Sequence, residues 1–166
     1  MKTFSQISLE SHTLSESQKK AAFVILYSDD FNPQSQEKRV LISLRWNSYL
    51  GFVGGLREYG ETPVDNAIRE TFEEVNFDLT PYRENIMHLA SHFYEEKNMT
   101  IDTFECYISA NDMKSILSNW MNAKDAAYEV AGVNAVFSSH IKRLLDSQWA
   151  GSGKQELDIF IKKHNL

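Results

Sequence analysis

Three glutamates, Glu70, Glu73 and Glu74, lie in the stretch IRETFEEV at residues 68–75. Wound as a helix, they fall within an arc of about 100°. Glu70 with Glu73 and Glu70 with Glu74 are then like-charge neighbours, each costing roughly 0.2–0.5 kcal/mol. They also crowd the end of the helix, where the macrodipole disfavours anions by about 0.3–1 kcal/mol. Local rules of this kind are broken where function asks for it. Carboxylate oxygens on one rigid face are the donors that Mg²⁺ takes, in octahedral geometry and with several waters kept for itself. Bound cations would remove both penalties. Three glutamates taken alone are better read as a solvated acidic face.

The elements around them set the frame. Thr62 suits an N-cap, Pro63 the first helical position, and Asp65 completes the spacing of a capping box. Val64, Ala67, Ile68, Thr71 and Val75 recur at helical spacing as a core face, opposite Asp65, Asn66, Arg69 and the three glutamates. Asn76 stands where a left-handed terminating residue is wanted. Before this helix, AAFVILYS (21–28), RVLISLRW (39–46) and YLGFVGGL (49–56) read as strands, the last breaking at Gly54-Gly55. After it, strands are expected at 86–96, 99–110 and 129–137, with helices at 111–121, 138–148 and 153–165. The elements mix without regular βαβ alternation, which favours an α+β arrangement or a helix–sheet–helix sandwich.

The chain has 166 residues, 42% of them apolar and 24% charged. That predicts one domain over 1–166, with residues 1–18 as a loosely ordered polar arm. No apolar run is long enough to cross a bilayer, and the N-terminal twenty residues hold no apolar segment of the secretory kind, so no membrane partner is expected. A lone cysteine, Cys106, forms no internal disulfide and fits a cytoplasmic location; within a strand it reads as a small core residue. Net charge is −6, from 17 basic and 23 acidic residues. Short basic pairs occur, but no basic stripe of the kind that drives binding to long RNA. His88 and His92 would share one strand face, yet further zinc ligands are not evident.

Reading outward from the glutamates gives Gly55, five residues, Glu61, seven residues, Arg69-Glu70, two residues, Glu73-Glu74, then Phe77. This resembles the Nudix box, with Thr71 at an apolar position and Asn76 in place of its final glycine. The resemblance implies an α/β fold, the Nudix α/β/α sandwich around a mixed β-sheet. It also implies a divalent-metal-dependent hydrolase cleaving the diphosphate bridge of nucleoside diphosphate-linked compounds. Mg²⁺ is the implied cofactor and Mn²⁺ its substitute. By position, Glu70, Glu73 and Glu74 are implied metal ligands, joined by Gly55 through its carbonyl. Arg69 is implied to brace the carboxylates, and Glu61 to support the loop–helix geometry.

The stretches SLRWNSYLGFVGGL, EVAGVNAVF and DSQWAGSGKQELDIF look like the snoRNA-decapping, inosine-diphosphatase branch of that superfamily. On that likeness Glu129 is a further metal ligand or the general base, with Glu95 and Glu96 as competitors. Arg45, Phe52 and Arg57 are the implied substrate-binding residues, Phe52 close to the nucleobase. Phe23 stands where the branch has a base-contacting histidine, which puts inosine preference in doubt. The expected partner is a nucleoside diphosphate-linked small molecule. Removal of RNA caps is the alternative reaction, a non-catalytic Nudix binding module is the alternative of another class, and a homodimer stays open.

Overall fold

The computed structural model describes residues 17–126 and 128–166; the expected N-terminal arm, but for its last two residues, lies outside them. Among the described residues seven strands form one mixed sheet. Strand β1 (Lys19–Asp29) is its spine. Along one edge it pairs antiparallel with β4 (Val53–Leu56) near its start and with β2 (Lys38–Arg45) near its end. Along the other it runs parallel to β6 (Met99–Tyr107), which pairs antiparallel with β5 (Ile86–Tyr94). Strand β2 also carries the short β3 (Leu50–Gly51) and β7 (Val130–Phe137).

Alternation along β1 decides the layers. Ala22, Val24 and Leu26 face a core shared with helices α1 (Pro63–Val75) and α2 (Ala110–Asn119). Ile25 points the other way, into a core with Phe52, Trp149, Leu157 and Phe160, where α3 (Gly153–His164) lies. The result is an α/β/α sandwich whose spine, β1, is buried on both faces. Cys106 is fully buried, and burial pushes its thiol up to about 12, so it serves as packing. Among the described residues no helix is long and apolar enough to cross a membrane.

Three local expectations change. The strand-like run 49–56 divides at Phe52, because the chain leaves β2 after Gly51 and joins β1 from Val53 onward. Residues 138–146 wind as 3₁₀ turns, not as an α-helix; Leu144 O accepts from both Ser147 N and Trp149 Nε1, which ends the winding. Strand β5 slips register against β6 between His88 and Ala90. The extra residue moves His88 and His92 to opposite faces of the sheet. His88 meets Ser91 beside Asp102, while His92 faces Glu156 of α3.

Candidate active site

Helix α1 is capped as its sequence asks. Thr62 Oγ1 accepts from Asp65 N at 3.1 Å, Pro63 opens the helix, and Asn76 closes it in the left-handed conformation, φ 55°. The face expected to be polar is turned largely toward β4: Asn66, Glu70 and Glu74 are all buried. Two glycines make room for it. Gly54 has φ +149°, and a Cβ there would stand 2.2 Å from Ala22 O. A Cβ on Gly55 would stand 2.8 Å from the Glu70 carboxylate. That carboxylate therefore rests directly on the backbone of β4.

Arg69 ties the cluster together. Its Nε donates to Glu61 Oε1 at 2.7 Å, Nη1 to Glu73 Oε2 at 2.9 Å, and Nη2 to Leu56 O at 2.9 Å. Nη1 is also 2.9 Å from Glu70 Oε1. A planar guanidinium with fixed donors suits this fork-like bracing, and one residue thus sets the positions of three carboxylates and the end of β4. The Arg69 hydrogen bond holds the Glu61 carboxyl below its ordinary value.

The remaining acids differ in how they carry charge. Burial pushes the Glu74 carboxyl up to about 8, against Arg45 and the Gly54 N–H, with Glu70 and Glu129 adding to the rise. Glu74 Oε2 accepts from Gly54 N at 3.2 Å. Burial also raises Glu70, against Arg69. Burial works against the charge on Glu73 as well, but Lys124 and Arg69 outweigh it and hold that group low. Glu129 is half exposed and 3.4 Å from Arg45 Nη1, while Arg45 Nη2 is 3.5 Å from Glu74 Oε1. Both contacts are long, so Arg45 spans two acids without being locked to either.

Asp125 joins the group unannounced by any motif. Carboxylate oxygens of Glu70, Glu73 and Asp125 all lie within 4.8 Å of one another. Asp125 N donates to Glu73 O at 2.9 Å, and Asp125 O accepts from Glu129 N, so the loop before β7 is fastened to the end of α1. Burial, then Glu129 and Glu73, raise the Asp125 carboxyl. Hard oxygen donors crowded together, partly desolvated and mutually repelling, are a donor set that suits a divalent cation. The residues present fit one.

A cavity of about 460 Å³ opens beside these acids, within the range of small-molecule sites. Glu70, Gly55, Arg45 and Glu129 line it together with Phe23, Tyr94 and the Gly151–Gly153 turn. Phe52 reaches it too but is almost wholly buried, its ring 5.1 Å from that of Trp149. Arg57 is not among the lining residues; its N–H donates to Lys20 O. Glu95 and Glu96 line a neighbouring cleft of about 630 Å³ with Lys19 and Lys97. Glu156, which lies in the C-terminal stretch DSQWAGSGKQELDIF without being marked out by it, also lines the main cavity.

A layered sandwich sets a carboxylate-rich helix against a Gly-Gly strand end, beside a cavity of small-molecule size. Residues 18–137 match the NUDIX domain, and the chain belongs to that family. Over 103 residues it is 27% identical to a U8 snoRNA-decapping enzyme of Homalodisca vitripennis, the match covering 61% of this chain and 54% of that one. The match thus spans about half the length of that relative. In fold it is similar to the NUDIX domain of Shewanella oneidensis NrtR solved with ADP ribose (TM-score 0.65, 14% identity, 99% of each chain). It is similar also to a C. elegans Ap4A hydrolase (TM-score 0.62, 17% identity, 89% of this chain and 98% of that one).

Proposed function

We propose that this protein hydrolyses the diphosphate bridge of small nucleoside diphosphate-linked compounds in a reaction that needs Mg²⁺, with Mn²⁺ as substitute. The observation that carries the reading is the cluster of Glu70, Glu73 and Asp125, with Glu74 and Glu129 close by, beside a cavity that Glu70, Glu129, Phe23 and Tyr94 line. Glu70, Glu73, Asp125 and the Gly55 carbonyl are the groups that would hold the metal, with Glu74 and Glu129 adjoining. A divalent ion there neutralises phosphate charge and makes water more acidic.

The chain's own residues do the rest. Arg69 holds the carboxylates in register, so little reorganisation accompanies the reaction. Arg45, weakly engaged between Glu74 and Glu129, is free to swing onto a substrate phosphate. Glu129, the most exposed acid of the group, is placed to accept a proton from attacking water. The aromatic walls suit a nucleobase.

Removal of RNA caps is the second reading, favoured by the likeness to the decapping enzyme. A panel of nucleoside diphosphate derivatives and capped RNA of ~20 nucleotides, assayed with Mg²⁺ and Mn²⁺, decides between them. Small substrates should be cleaved with kcat/KM equal to or above that for capped RNA. RNA binding without divalent metal should be weak, on the order of 10⁻⁴–10⁻⁶ M at physiological salt. Nanomolar, steeply salt-dependent RNA binding would establish the second reading instead. No metal-dependent cleavage of any of these compounds would refute both.

A further inference from the structure

Glu156 is the odd carboxylate of the cavity. It sits in the first turn of α3, only 2% exposed, on the wall away from the acids of α1. Its Oε1 accepts from Ser152 Oγ at 2.6 Å and lies 3.8 Å from His92 Nε2. No lysine or arginine pairs with it among the described residues. Thr103 Oγ1 is near enough to be felt by the carboxyl, yet forms no hydrogen bond of good geometry. His92 Nε2 is likewise buried without a hydrogen-bond partner.

A helix-stabilising role explains little of this. An acid in the first turn does favour the helix dipole, but it does so as well from the surface. Ser152, at the N-cap, caps no backbone N–H with its side chain and gives its hydroxyl to Glu156 instead. A buried carboxylate with one hydroxyl partner leaves most of its acceptor capacity unused, and such groups are costly to keep. Burial pushes its carboxyl up, against the Ser152 and Thr103 hydroxyls and His92. The group lacks N–H donors, and it faces the space a ligand would fill.

We infer that Glu156 selects the nucleobase, accepting the paired N1–H and N2–H₂ donors of guanine between the walls formed by Phe23 and Tyr94. The inference rests on the reading that a nucleotide occupies this cavity. A carboxylate offers two coplanar acceptors and no donor, and guanine's edge offers two parallel donors. Hypoxanthine keeps N1–H alone. Xanthine sets a carbonyl against the carboxylate, and adenine sets a ring nitrogen there. The order of preference is therefore guanine, hypoxanthine, then xanthine and adenine.

Binding of GMP, IMP, XMP and AMP, measured calorimetrically with Mg²⁺ present, tests this. These compounds have no anhydride to cleave, so the measurement reads the base wall whether or not the chain is a hydrolase. GMP should bind at least about ten-fold more tightly than IMP, the scale of one hydrogen bond to a charged group. Glu156→Gln replaces one acceptor by a donor and should bring the GMP/IMP ratio to about one, with an unchanged or higher Tm. Equal affinities for GMP and IMP in the parent, no binding of either at millimolar concentration, or a ratio preserved in the variant would each overturn the assignment. The parent ratios carry the test alone if the variant does not fold. Base preference without hydrolysis of any diphosphate-linked compound would sink the proposed reaction and leave Glu156 assigned. Hydrolysis without base preference would do the reverse.

Discussion

Glu74, from α1, and Glu156, from α3, bury their carboxylates on opposite sides of the same sheet. Glu74 belongs to a crowd: Arg45 and the Gly54 N–H favour its charge, Glu70 and Glu129 oppose it, and the crowd as a whole suits a cation. Glu156 has hydroxyls and a histidine nearby but no lysine or arginine, unlike Glu105 of the same layer, which Lys163 holds beside the apolar packing of Phe160, Leu157 and Ile161. The α1 side spends its helix on charge and relies on Arg69 to hold it. The α3 side is largely apolar packing, with Glu105, paired to Lys163 and His164, and Glu156 as its buried acids. The same side chain, equally buried, is therefore expected to answer differently on the two sides.

The largest effect tests the packing side. Phe160→Ala should destabilise the fold by about 3–5 kcal/mol in urea unfolding, while Mg²⁺ affinity of the protein that remains folded stays the same. A parallel loss of metal affinity would mean the two sides are not independent. Next comes the charged side: Glu73→Gln should lower turnover at least ~10²-fold on the best substrate, with the metal-free Tm steady or raised. Near-normal turnover would show that the acidic face is not catalytic.

Gly55→Ala narrows the question to position. The added methyl would displace the Glu70 carboxylate, the flexible end of a side chain, so the fold should survive. Metal affinity should fall by roughly 10–100-fold in a calorimetric titration, as when the surroundings of a metal ligand are disturbed. An unchanged affinity would remove Glu70 from the ligand set. The smallest effect is a pH dependence. The Glu156 carboxyl is raised in the folded state, so the native protein holds a proton that the unfolded chain releases above its ordinary value of 4.5. Parent stability should then decline relative to Glu156→Gln as pH rises from that value through the raised folded one, and the gap should level off above it. Urea unfolding of both proteins from pH 4 to 8 checks the sign; a gap that shrinks with rising pH would contradict the burial argument.

How much was legible follows from how local each feature is. The cap at Thr62, the stop at Asn76 and the order of charges between Gly55 and Glu74 are all encoded within 22 consecutive residues, and the structure shows helix and glycines where the spacing puts them. The sandwich followed from strand runs and the same motif. The burial of the glutamate face did not, since amphipathic periodicity assigns acids to solvent unless the partner strand is known to be Gly-Gly. The register slip beside Leu89 inverted the histidine prediction, because a single inserted residue leaves no mark in a strand pattern. Asp125 and Glu156 join the candidate site only through contacts with α1 and β5: no motif announces Asp125, and the stretch that holds Glu156 resembles a family branch without singling out that acid.

The parallel pairing of β1 with β6 has a kinetic consequence. Lys19 meets Met99, and the register continues to Tyr27 with Tyr107, so the spine of the sheet closes across about 80 residues of chain. Loop closure of that length comes before any reward from pairing, which places this protein among slow, high-contact-order folders. On a ribosome, β1, β4 and α1 emerge together and can pair early, yet one edge of β1 waits unpaired until β6 has been synthesised. That interval exposes an apolar strand, AAFVILY, to other chains, and it is the step at which a chaperone would have most to protect.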